Sequence, residues 1–187
     1  VGPGPRVAEV AYGFGETPDD SSANRNIGAM LGYKSGPLDL RFGYHRNTNA
    51  DATDDGRSAM IGGTYDFNVL KAHLGLQSNK GLVIINGRPI ADTDSRDLVV
   101  GVAVAFGVNT LLASYTHKDD RGTADADARQ LAIGISHRLS KRTDLYASVA
   151  RIKNDAPNTS ARFYTVGNGS SQGSGDKAFY FGVRHVF

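Results

Sequence analysis

The sequence predicts an all-β fold: a transmembrane antiparallel up-and-down β-barrel whose ten strands occupy the 187 residues as a single domain. Three observations predict it. Apolar and polar residues alternate with period two down the chain, tight turns alternate with long polar connections, and aromatic residues gather toward the strand ends on one face.

Each strand is justified by its own alternation. Val7–Phe14 sets Ala8, Val10, Tyr12 and Phe14 against Glu9 and Gly13, and Ile27–Lys34 sets Ala29, Leu31 and Tyr33 against Gly28, Gly32 and Lys34. The turn Ser35-Gly36-Pro37 leads into Leu38–His45, where Leu40, Phe42 and Tyr44 oppose Asp39, Arg41 and Gly43. Ser58–Phe67 and Leu70–Gln77 follow around Asn68, the second setting Ala72, Leu74 and Leu76 against Lys71, His73 and Gly75. Asp97–Phe106 and Leu111–Thr116 flank Gly107-Val108-Asn109. The stretch from Leu98 to Thr116 has no formal charge and is long enough for a membrane helix, yet it is β-branched and split by this turn, so it reads as two strands. Gln130–Leu139 and Leu145–Arg151 are joined by Ser140-Lys141-Arg142-Thr143, and Ala178–Phe187 is the tenth strand.

Between these hairpins lie Gly15–Asn26, Arg46–Arg57, Ser78–Arg96, His117–Arg129 and Asn154–Lys177. All tight turns therefore fall on one rim and all long loops on the other, the habit of barrels that cross an outer membrane. The chain opens on Val1-Gly2-Pro3-Gly4-Pro5, without Met or an apolar leader, which does not inform on compartment.

The face holding Tyr12, Tyr33 and Phe42 carries one charged residue on these strands, Arg151. The other carries Glu9, Lys34, Asp39, Arg41, Asp66, Lys71, Asp97, Arg138 and Arg184, with nearly all the strand glycines. A soluble β-protein also has one apolar face, turned inward. The aromatics decide between the two. Tyr33, Tyr65, Phe67, Phe106 and Phe187 fall toward the short-turn rim, Tyr12, Phe14, Tyr44, Tyr115 and Phe179 toward the long-loop rim, and aliphatic residues lie between. Two amphipathic girdles around an aliphatic band match a bilayer, whereas a buried core concentrates its rings centrally.

Lys plus Arg total 21 against 19 Asp plus Glu, too balanced for a nucleic-acid partner to be announced by bulk charge. The absence of Cys removes disulfides and thiolate chemistry. None of the five His stands in a ligand spacing, so neither a metal nor a cofactor is expected. Asp51-Ala52-Thr53-Asp54-Asp55-Gly56 starts like a calcium loop, but its twelfth position is Gly62, and it reads as a solvated acidic loop. Gly167–Gly173 follows no strand and precedes no helix, which argues against a phosphate loop.

The chain ends Ala178-Phe179-Tyr180-Phe181-Gly182-Val183-Arg184-His185-Val186-Phe187, and the alternate residues Phe179, Phe181, Val183, His185 and Phe187 resemble the β-signal read by the outer-membrane assembly machinery. Together with Leu139-Ser140-Lys141-Arg142-Thr143-Asp144-Leu145-Tyr146 and the softer Val10-Ala11-Tyr12-Gly13-Phe14-Gly15-Glu16, this resembles the general porins of the beta-proteobacterial type. The resemblance implies a homotrimer of sixteen-stranded barrels in the Gram-negative outer membrane, in contact with lipid and lipopolysaccharide. These ten strands correspond to its last ten, so the expectation is a C-terminal portion, with closure of ten strands on themselves as the alternative.

The expected function is passive diffusion of small hydrophilic solutes and ions through a water-filled lumen lined by Arg41, His73, Lys71, Arg138, Arg184, Asp39 and Glu9. Basic residues slightly outnumber acidic ones on that face, a weak bias toward anions. Two other readings stay open. An omptin-like protease needs His45, Asp54, Asp55, His117, Asp119 and Asp120 to converge at the long-loop rim, although no matching motif is present and no catalytic residue is assigned. A soluble β-barrel that binds a ligand needs the apolar face inside.

Overall fold

The computed structural model describes residues 6–15, 23–49, 52–85, 88–123, 125–155, 164–166 and 175–187, with only the backbone in 82–85 and 88–92. Ten strands follow one another: β1 Arg6–Gly13, β2 Asn26–Ser35, β3 Leu38–Thr48, β4 Asp55–Asp66, β5 Leu70–Ile85, β6 Arg88–Phe106, β7 Asn109–Asp120, β8 Ala128–Arg138, β9 Thr143–Asn154 and β10 Lys177–His185. Each pairs antiparallel with its neighbours in sequence, in one sheet ordered β1 to β10. No helix occurs among the described residues.

The turns are made where expected. Gly36, Asn68 and Gly107 adopt positive φ of 52°, 70° and 58°, and Asp66 Oδ1 accepts the Asn68 N–H at 2.9 Å to steady the shortest connection. Leu98–Thr116 forms a β6–β7 hairpin, with Phe106 opposite Asn109.

Register keeps the two faces apart across the whole sheet. Tyr33, Leu40 and Gly63 lie side by side, as do Leu31, Phe42, Ile61, Leu76 and Leu98. The far end continues the pattern, with Tyr115, Leu131 and Arg151 in one row and Ile133, Val149 and Phe179 in the next. Ring pairs two residues apart mark both rims: Tyr12 and Phe14 at 4.9 Å, and Tyr65 and Phe67 at 4.5 Å.

The apolar face covers nothing. Buried apolar side chains among the described residues are Ala23, Ala126, Ala128 and Ile152, while Val10 and Phe181 are each 79% exposed. A water-soluble fold cannot leave a sheet of such residues bare. This excludes the soluble ligand-binding barrel, whose apolar face would point inward.

Two expectations need correction. The strands run further toward the long-loop rim than the alternation predicts, because apolar alternation stops before the ladder does. The ladder continues instead: Ser78–Arg96, read as a loop, is largely the extension of β5 and β6, and β3, β4 and β7 reach Thr48, Asp55 and Asp120. The extended parts put charges on the same face as the lipid-type residues, among them Arg46, Arg57, Lys80, Arg96, Arg129 and Lys153. Hydrogen-bonded pairing stops where partners end, whereas apolar alternation stops where the hydrocarbon ends. At the other rim the expectation was too long, since β10 ends at His185 and Phe187 lies beyond the ladder, 99% exposed.

The alternative of ten strands closing on themselves is not seen. β1 and β10 are the two edges of the sheet and do not pair with each other.

Candidate channel-lining face

The face opposite the aromatic rows is where the charges and glycines meet. Asp39 and Arg41 lie two residues apart on β3 and therefore on the same face. Arg41 Nε donates to Asp39 Oδ1 at 2.7 Å and Nη2 to Oδ2 at 3.2 Å. The fork lies over Gly32, its partner on β2, and a Cβ at Gly32 would stand 2.8 Å from Arg41 Nη1. Glycine on the neighbouring strand is what lets the guanidinium lie along the wall.

Glu9, Arg41, His45, Ser58 and Gln77 border a hollow of about 460 Å³ on this face. His73 lies between Thr64 and Gly101 in the cross-strand register. Lys71 pairs with Asp66 at 3.4 Å. Arg184 pairs with Asp144, and Arg138 is directly opposite that same Asp144. All seven expected lining residues thus share one face, and the structure divides them by depth. Arg41, Glu9 and His73 lie along the strands, while Asp39, Lys71, Arg138 and Arg184 lie at short-turn ends.

A second cluster escaped the sequence reading. Lys118 Nζ reaches Asp97 Oδ1 at 3.2 Å and donates to Ser95 Oγ at 2.8 Å. Asn79 Nδ2 donates to Asp97 Oδ2 at 2.8 Å, and Ser58 Oγ donates to Asn79 Oδ1 at 2.7 Å. The ring of Tyr164, from the connection between β9 and β10, lies 5.6 Å from Lys118 Nζ. Polar links therefore join β4, β5, β6 and β7 near the long-loop rim. Lys118 lies beyond Thr116, where the alternation predicts the end of β7, although its parity with Ser114 and Thr116 puts it on this face. Counting Lys118, Asp120 and Asp144 with the face balances its two signs, so the slight excess of basic residues disappears.

The groups a hydrolytic rim site needs are not brought together. His45 is on this face of β3, while His117 and Asp119 are on the opposite face of β7. Asp55 is held by Arg46 at 2.6 Å and Arg57 at 2.9 Å, and Asp120 accepts the Gly122 and Ala126 N–H groups. Among the described residues no cluster of three or more His, Asp or Glu is placed to hold a metal. Asn49 Oδ1 accepts from the Thr53 and Asp54 N–H groups, which ties up these two residues of the calcium-like segment locally; Asp51 lies outside the described residues, as does Gly167–Gly173.

A sheet with lipid-type residues on one face and glycines with ion pairs on the other is the wall of a membrane-spanning β-barrel. The chain belongs to the Gram-negative porin family, which it matches over residues 4–157. It is 30% identical over 195 residues to outer membrane porin protein 32 of Delftia acidovorans, covering 98% of this chain and 54% of that protein. Among solved structures it is similar to an anion-selective porin from Comamonas acidovorans, with a TM-score of 0.76 and 26% identity over 97% of this chain and 56% of that one. It also shares the fold of an outer membrane protein of Vibrio cholerae in its trimer form, with a TM-score of 0.57 and 17% identity over 94% of this chain and 60% of that one. The chain spans about half the length of the curated relative it matches. The family places the chain in the Gram-negative outer membrane.

Proposed function

We propose that this chain forms part of the wall of a water-filled channel through which small hydrophilic solutes and ions diffuse passively, with a weak preference for anions. The observation that carries the reading is the register-long separation of an exposed apolar face with aromatic rims from a face of glycines and ion pairs. Arg41, Glu9 and His73 line the channel along its depth, and Asp39, Lys71, Arg138 and Arg184 line its short-turn mouth. With the charges on this face in balance, the anion preference is supported by the relative named anion-selective rather than by a count of signs.

The two unpaired sheet edges and the length of the relatives support a ten-strand portion of a sixteen-stranded barrel. The homotrimer is supported by the fold shared with a protein described in its trimer form. Insertion uses the assembly machinery through Phe179, Phe181, Val183, His185 and Phe187, and the outward surface meets lipid and lipopolysaccharide. The test is a planar-bilayer recording of the full-length parent protein. Discrete, long-lived conductance steps with a reversal potential on the anion side are expected; the absence of steps from folded protein overturns the reading.

A further inference from the structure

Arg151 breaks the rule of its own face, since it stands among lipid-type residues in the same cross-strand row as Tyr115 and Leu131. The next residue in that row is another cation, Lys177 on β10, directly opposite Arg151. Directly opposed residues of an antiparallel pair have Cα atoms roughly 4.5–5.5 Å apart, and like charges so placed repel. Both side chains are exposed, and among the described residues neither has a carboxylate partner. One row further toward the loops, Arg129 faces Lys153, and the two share the single carboxylate of Asp155 at 2.7 and 2.8 Å. Arg151 and Lys177 therefore form a cationic pair without an ion-pair partner among the described residues, at the level of an aromatic rim.

Beside the two cations runs an apolar groove of about 550 Å³ lined by Leu131, Ile133, Val149 and Phe179 and bordered by Arg151 and Lys177. Cations beside an apolar channel on a lipid-facing wall match a molecule with an anionic head and an acyl tail. The rim is the long-loop rim, which in this class of barrel faces the cell exterior. We infer that this groove is a docking site for the phosphorylated glycolipid of the outer leaflet: a phosphate sits between Arg151 and Lys177, and an acyl chain lies along Leu131, Ile133, Val149 and Phe179. A phosphate there relieves the repulsion within the cationic pair, the chain covers exposed Phe179, and Arg129 and Lys153 add attraction from above. The inference deepens the lipid contact proposed above and rests on the same orientation in the membrane.

The test titrates the full-length parent porin in detergent with bisphosphorylated lipid A and, separately, with its phosphate-free form, and reads bound lipid by native mass spectrometry. The wild-type protein is expected to hold the phosphorylated form at least tenfold more tightly. The double variant Arg151→Gln, Lys177→Gln should lose that difference, while Arg142→Gln at the opposite rim keeps it. Equal binding of the two lipids by wild-type protein overturns the inference and needs no variant to fold. So does a double variant that binds lipid normally but falls apart as an oligomer, since the groove is then a contact between copies. Single-channel conductance is recorded in parallel. Failure of the lipid site leaves the steps intact, whereas failure of the channel reading removes them.

Discussion

The Asp39–Arg41 pair makes channel selectivity testable in a way that an isolated charge would not. The guanidinium is held bidentately by the carboxylate at 2.7 and 3.2 Å, so a passing ion meets a dipole rather than a unit charge. A bare unit charge about 8 Å from an ion in water acts with about 0.9 RT, which salt at one Debye length lowers to about 0.3 RT. Anion and cation feel opposite signs, so exposing one charge of the pair changes the anion-to-cation permeability ratio about twofold. In the intact pair the opposing charge, 2.7 Å away, cancels most of that energy. Asp39→Asn in the full-length channel is therefore expected to raise anion preference about twofold, and Arg41→Ala to lower it about twofold. The double variant should return close to the wild-type ratio. The assay is the reversal potential in a salt gradient across a planar bilayer, with heat-modifiability on a gel confirming that each variant is folded. Unchanged reversal potentials in both single variants would refute the reasoning, because the pair would then not face the ion path. A double variant as shifted as Arg41→Ala would refute the dipole and leave Arg41 acting alone.

Three other outcomes are expected. Deleting Phe187 should lower the folded yield in the outer membrane severalfold yet leave refolding into detergent unchanged. The residue lies outside the ladder and 99% exposed, so its loss breaks no strand pairing; equal yields in cells would remove it from the assembly signal. Gly81 has φ of 83°, and a Cβ there would stand 2.1 Å from the Asp55 carbonyl oxygen, so Gly81→Ala should destabilise the rim by about 1–3 kcal/mol. Faster proteolysis between β5 and β6 would report this, and wild-type resistance would contradict it. Beyond the end of β9, hydrogen bonds from Lys153 and then Arg129 hold the Asp155 carboxyl below its ordinary 3.8. The stabilisation it lends to the β8–β9 end is complete above that value and fades as pH falls through the lowered one. A carboxyl NMR titration of Asp155 with its midpoint below 3.8, moved upward by Arg129→Gln with Lys153→Gln, is the expected result.

Alternation determined that the chain is a β-sheet with an apolar face and a polar face, because side-chain direction in a strand has period two, and the aromatic rims marked the apolar face as lipid-type. The hairpin turns at Gly36, Asn68 and Gly107 were legible for a similarly local reason: few residues accept positive φ, and these do. So were Asp39 and Arg41 as neighbours on one face, being two residues apart. Register between strands is not local, and most of what the sequence left out follows from it. Lys118 meets Asp97, Ser95 and, through them, Asn79 only because β5, β6 and β7 pair well past the point where apolar alternation ends. Arg151 was visible as the one charge on its face, but Lys177 became its neighbour through the pairing of β9 with β10. The extent of the ladder was hidden for the same cause. Hydrophobicity records where the membrane stops, while backbone hydrogen bonding carries the strands beyond it, and partners across strands exist only once the chain has folded.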